Sequence, residues 1–133
     1  GLQEQLVISH IVLFRPKPDT TAEQVLLFAQ QLRLTMGTIS SVRRAEVGRR
    51  LDVDSGEARN FGDMAYEYSA VVEFESREGL IDYLNHPLHR ELGRMFWEFC
   101  EATVVLEVES VDARTDAVVQ LLAKTPNSAN PTS

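Results

Sequence analysis

Residues Val7 to Phe14 form an apolar run interrupted only by Ser9 and His10. A run of that length reads as a strand covered on both faces, which belongs in the interior of a sheet. Three further segments carry strand patterns. Val42 to Arg50 alternates small or apolar residues with arginines, as a half-exposed strand does. Tyr68 to Glu75 sets Tyr68, Ala70, Val72 and Phe74 on one face and Ser69, Val71, Glu73 and Glu75 on the other. Thr103 to Glu109 sets Val104, Leu106 and Val108 against Thr103, Val105, Glu107 and Glu109.

Helical periods separate these strands. Thr20 to Glu23 has the form of a capping box, with Thr20 as cap and Glu23 reaching back. It opens a helix through about Met36, with Val25, Phe28, Ala29, Leu32 and Met36 as its buried stripe and Gly37 as its stop. Ser76 caps a short helix to about Leu84. Pro87 to Phe99 repeats apolar residues at Leu88, Leu92, Met95, Phe96 and Phe99, the 3.6-residue period of an amphipathic helix.

The order is therefore βαββααβ. It predicts an α+β, ferredoxin-like fold: a four-stranded antiparallel sheet with its helices on one face and the first and third strands central. Those two strands have the more apolar second faces, and one helix layer covers only one side of them. A second copy packed sheet against sheet covers the other, because a two-fold interface buries the same patch on both subunits. The expectation is a homodimer.

At 133 residues, 44% hydrophobic and 25% charged, the chain has material for one modest core. We expect one domain over residues 7–112. Residues 113–133 form a C-terminal tail expected to be largely disordered, with one short amphipathic helix within Asp116 to Lys124. The formal charge of −7 argues against nucleic acid or an anionic membrane as partner. Arg43, Arg44, Arg49 and Arg50 read as solvated positions on an edge strand. No run reaches transmembrane length, and the start lacks the basic flank and apolar core of a signal peptide. The single cysteine, Cys100, cannot pair within the chain, reads as a buried structural thiol, and fits a cytoplasmic location. The sequence holds no phosphate-binding glycine loop, nucleophile elbow or redox cysteine pair. Leu51 to Gly62 reads as a loop, and its Asp52 to Gly56 stretch departs from a calcium loop because the glycine comes one position early and no glutamate closes it.

The densest chemistry lies in Tyr83 to His89, where a phenol and two imidazoles surround a proline. Pro87 suits the first position of a helix, and His86 before it is biased away from helical geometry. His89 then sits in the first turn, where the helix dipole disfavours its protonation and leaves it a neutral proton acceptor. Gly93, one turn on, either leaves room for a ligand over the His89 imidazole or permits close helix packing. His10, inside an apolar strand, reads as a hydrogen-bonded core residue and as a secondary site candidate. A metal held by His10, His86 and His89 is not expected, because Pro87 takes His86 out of the helix and no acidic or cysteine cluster accompanies the imidazoles.

Together with Ser9 to Phe14, Glu46 to Arg49 and the Val71 to Phe74 strand, this segment resembles the stress-responsive A/B barrel (Dabb) family, from about Val7 to Asp112. The resemblance implies a homodimeric α+β barrel. In the polyketide cyclase of that family, the second histidine of the His-Pro-x-His segment is the catalytic base and the tyrosine before it orients the substrate. By resemblance those roles fall to His89 and Tyr83, with His10 lining the pocket and no cofactor. The cyclase also uses a tyrosine on its first helix, where this chain has none and Leu32 stands near that place.

Two functions follow. One is a dimeric barrel binding a small apolar or aromatic molecule between sheet and helices, with His10, His86 and Gly93 among its contacts. The other is a cofactor-free cyclase or isomerase in which His89 removes a proton beside a carbonyl and Tyr83 hydrogen-bonds the oxyanion.

Overall fold

The computed structural model describes residues 1–51, 53 and 66–123. In chain order the elements are α1 (Leu2–Gln5), β1 (Val7–Pro16), α2 (Ala22–Thr38), β2 (Arg44–Arg49), β3 (Tyr68–Phe74), α3 (Arg77–Asn85), α4 (Pro87–Phe99), β4 (Cys100–Ser110) and α5 (Ala117–Ala123). The strands form one antiparallel sheet in the order β2-β3-β1-β4, so the first and third strands are central, as expected. Most of the Leu51 to Gly62 segment, including nearly all of the calcium-loop stretch, lies outside the described residues.

Register assigns the faces. Ile8, His10, Val12 and Phe14 of β1 stand beside Phe74, Val72, Ala70 and Tyr68 of β3. Ile8, Val72 and Phe74 pack with Ile39, Leu80 and Tyr83, and Val12, Phe14 and Ala70 pack with Phe28 and Phe96. This is the helix-covered face. The alternate residues, Ile11, Leu13, Val71, Val104, Leu106 and Val108, share the opposite face across β3, β1 and β4.

Three of the boundaries that differ from expectation do so for a local reason. The capping box lies one residue later: the Thr21 hydroxyl accepts the Gln24 N–H at 3.1 Å and the Gln24 side chain accepts the Thr21 N–H at 2.8 Å. Thr20 is already committed to a turn, donating both its N–H and its hydroxyl to the Lys17 carbonyl. Gly37 does not stop α2, which runs to Thr38, because the Ile39 N–H still reaches the Thr35 carbonyl and buried Ile39 fixes the exit. β4 starts at Cys100 directly after α4, since pairing with Arg15 and Pro16 extends the ladder past Thr103.

Arg43, Arg44 and Arg49 are exposed at or beside the edge strand β2, and Arg44 pairs with Glu46 at 2.6 Å. Cys100 is half-buried, and burial pushes its thiol pKa up, which makes it a poor nucleophile. The amphipathic stretch after Asp112 forms α5, with Ala117 buried. Residues 124–133 lie outside the described residues. No helix among the described residues is long and apolar enough to cross a membrane.

Candidate functional site

A cavity of about 320 Å³ lies between the sheet and the helix pair α3 and α4. Val12, Ala70 and Val72 form part of its sheet wall, and Leu84, Leu92 and Phe96 part of its helix wall. β4 is the outer strand on this side. Its residues Thr103, Val105 and Glu107 therefore line an open flank opposite Gly93 and Trp97 of α4.

Four polar side chains meet inside. His10 is buried on β1, and its Nδ1 donates to the Glu107 carboxylate at 2.7 Å. The two residues are register partners on adjacent strands. Tyr83 is 1% exposed, and its hydroxyl contacts the Met36 sulfur at 3.9 Å, a weak partner for a buried donor. Burial raises its pKa, with the Glu107 charge adding to the effect, so the phenol stays protonated. His89 Nδ1 lies 3.2 Å from the Leu84 carbonyl. A carbonyl only accepts, so the Nδ1 hydrogen is held there and the neutral ring presents Nε2 as an acceptor. The three rings enclose one space, with centroids 5.6 Å apart for His10 and Tyr83, 4.6 Å for Tyr83 and His89, and 5.8 Å for His10 and His89.

His89 is held below the usual histidine range, as expected, although burial and the nearby His10 are the causes. The Leu84 carbonyl and Glu107 act weakly in the opposite direction.

The structure therefore brings Tyr83, His89, His10 and Gly93 to one cavity. His86 is not among the residues lining it. As the residue before proline it is extended, at φ −71° and ψ 139°, and its Nδ1 accepts the Leu88 N–H at 3.0 Å as the α4 cap. Pro87 brings no N–H of its own, so Leu88 offers the next free donor. A Cβ added to Gly93 would meet nothing within 4 Å. Close helix packing is thus not what the glycine serves, and it leaves the cavity wall open. Trp97 is 88% exposed and lies on the cavity flank.

Glu107 was not foreseen as a site residue. On an edge strand with both faces partly exposed, alternation does not say which set faces the helices. The signal was the reversal of polarity: β4 turns Val104, Leu106 and Val108 away from the helices and Thr103, Val105 and Glu107 toward them. A second, smaller cavity of about 190 Å³ lies at the other end of the core, lined by Phe28, Val25, Ala29, Val47, Tyr68 and Cys100 among others.

Comparison with known proteins accords with this architecture. The model of the Stress responsive A/B Barrel Domain matches residues 8–110. A stress-response A/B barrel domain-containing protein of Arabidopsis thaliana is 23% identical over 109 residues, covering 82% of this chain and 91% of that one. Among solved structures, the hydroxynitrile lyase of Passiflora edulis superposes with a TM-score of 0.69 at 17% identity, covering 82% of this chain and 97% of its own. A dimeric ferredoxin-like protein of unknown function from Thermobifida fusca superposes with a TM-score of 0.63 at 21% identity, covering 80% and 93%. With a family match over residues 8–110 that includes helices α2 to α4 and every residue lining the cavity, this chain belongs to the stress-responsive A/B barrel domain family.

Proposed function

We propose that this protein is a homodimer that binds a small apolar or aromatic molecule in the cavity between sheet and helices. One observation carries the reading: a cavity of about 320 Å³, largely apolar in its walls, converges on Tyr83, His89 and His10 as a compact polar group. Ligand sites have that composition, an apolar body with a few placed hydrogen-bonding groups. Trp97 is the only tryptophan in the chain and lies at the cavity. Titrating a panel of neutral alkylbenzenes and alkylphenols while following its emission tests the reading. Saturable spectral shifts support it, and an unchanged spectrum across the panel contradicts it.

The dimer rests on the open face of the sheet. Leu13, Val104 and Leu106 are exposed there, with Ile11, Val71 and Val108 around them. Fully burying such a side chain contributes about 1.5 to 3 kcal/mol, and covering the part still exposed here contributes a share of that. Comparable proteins such as the Thermobifida fusca one are described as dimeric. The single cysteine, which has no partner for a disulfide within the chain, suits a reducing compartment, and we assign the protein to the cytoplasm.

A second reading, proton transfer without a cofactor, is favoured by the tautomer of His89. Its Nε2 is an acceptor and Tyr83 is a protonated donor beside it. In that case His89 takes a proton next to a carbonyl while Tyr83 hydrogen-bonds the oxygen. Deuterium exchange at the α-carbon of a bound aryl ketone, lost in His89→Gln with binding retained, separates this reading from binding alone.

A further inference from the structure

The cavity wall carries a carboxylate but no lysine or arginine among the described residues that line it. Its one ionised acceptor is Glu107. The proton on His10 Nδ1 is directed at that carboxylate at 2.7 Å and is not available to a second anion. His89 offers an acceptor at Nε2 because its Nδ1 hydrogen is held by the Leu84 carbonyl. Tyr83 offers a hydroxyl whose partner is a thioether at 3.9 Å. A ligand group that both donates to His89 and accepts from Tyr83 satisfies the site. A hydroxyl does this, and a carboxylate does not, since it has no proton to give and lies close to the Glu107 carboxylate.

Resting on the binding function proposed above, we propose that Glu107 is a specificity-determining residue, which makes the cavity select neutral hydroxyl-bearing aromatic molecules over carboxylates of the same shape. Two unit charges about 6 Å apart, in a partly screened site, repel strongly enough for a preference of roughly a hundredfold. Burial of His89 works in the same direction, because the ring is kept neutral and gives an anion no cation to pair with. The apolar walls, from Val12 to Phe96, hold either ligand's body equally, so the selection resides in the polar end.

The test uses three probes of one shape: 4-butylphenol, 4-butylbenzoate and butylbenzene, titrated calorimetrically at neutral pH into wild type and Glu107→Gln. Wild type should bind the phenol roughly a hundredfold more tightly than the benzoate. Glu107→Gln should narrow that ratio to about tenfold or less by strengthening benzoate binding. Glu107 is 42% exposed on an edge strand, so the variant should fold, and wild-type selectivity is read without any variant. Equal binding of phenol and benzoate to wild type, or an unaltered ratio in Glu107→Gln, overturns the selection while butylbenzene binding leaves the cavity's function standing. Failure of all three probes to bind overturns the binding function and the selection with it.

Discussion

Tyr83 near the end of α3 and His89 in the first turn of α4 face each other with ring centroids 4.6 Å apart. Pro87 between them ends one helix and starts the next, so seven residues of sequence turn back on themselves and aim both rings at one cavity. The same burial keeps both groups neutral, raising the phenol's pKa and lowering the imidazole's.

The lowered pKa of His89 has a thermodynamic consequence. The unfolded chain, with an ordinary histidine pKa near 6.5, binds the proton more readily than the folded one. Stability from this group is therefore fully present above about pH 6.5 and declines as pH falls through the window between that value and the lower folded pKa. Urea unfolding at a series of pH values should show this decline in wild type. His89→Gln should remove that component and leave the rest of the profile in place. A His89 imidazole resonance titrating above the ordinary histidine range would contradict the assignment.

Leu92 and His89 sit on neighbouring flanks of α4, but only Leu92 is fully enclosed. Leu92→Ala should cost about 2 to 5 kcal/mol. His89→Ala, which loses one hydrogen bond beside a cavity, should cost about 1 kcal/mol. Denaturant midpoints compare the two, and equal losses would make His89 a structural residue.

Gly93 lies inside a helix with open space where its Cβ would be. Gly93→Ala should stabilise the protein by about 1 kcal/mol through helix propensity alone. Gly93→Phe should fill the cavity and lower the affinity for alkylphenols at least about tenfold, the effect of losing some 1.4 kcal/mol of binding. Thermal melts and Trp97 titrations read the two effects separately.

If the open sheet face is the dimer surface, Leu106→Asp places a charge in its middle. Light scattering at micromolar concentration should report twice the chain mass for wild type and the chain mass for the variant. A well-folded wild-type monomer would remove the dimer from the account.

Much of this architecture was legible because some positions are constrained twice. β1 is a nearly unbroken apolar run and had to be central, and α4 carries a periodic stripe behind a proline start. Other positions depend on facts a linear pattern does not hold. Thr20 and Thr21 are equivalent as caps until the Lys17 turn takes the first. His86 is not a residue type preferred at helix caps, so nothing in its identity announced that its ring closes α4. Glu107 became a site residue only through its pairing with His10, which register decides.

The central claim is that the larger cavity is where a small aromatic molecule binds. Methyl-resolved NMR spectra of the protein titrated with 4-butylphenol test it directly, because the two cavities carry different methyl groups. The account predicts saturable shifts at Val12, Ala70, Val72 and Val105, with Val25, Ala29 and Val47 unmoved. Shifts confined to Val25, Ala29 and Val47, or no shifts at all, would contradict it.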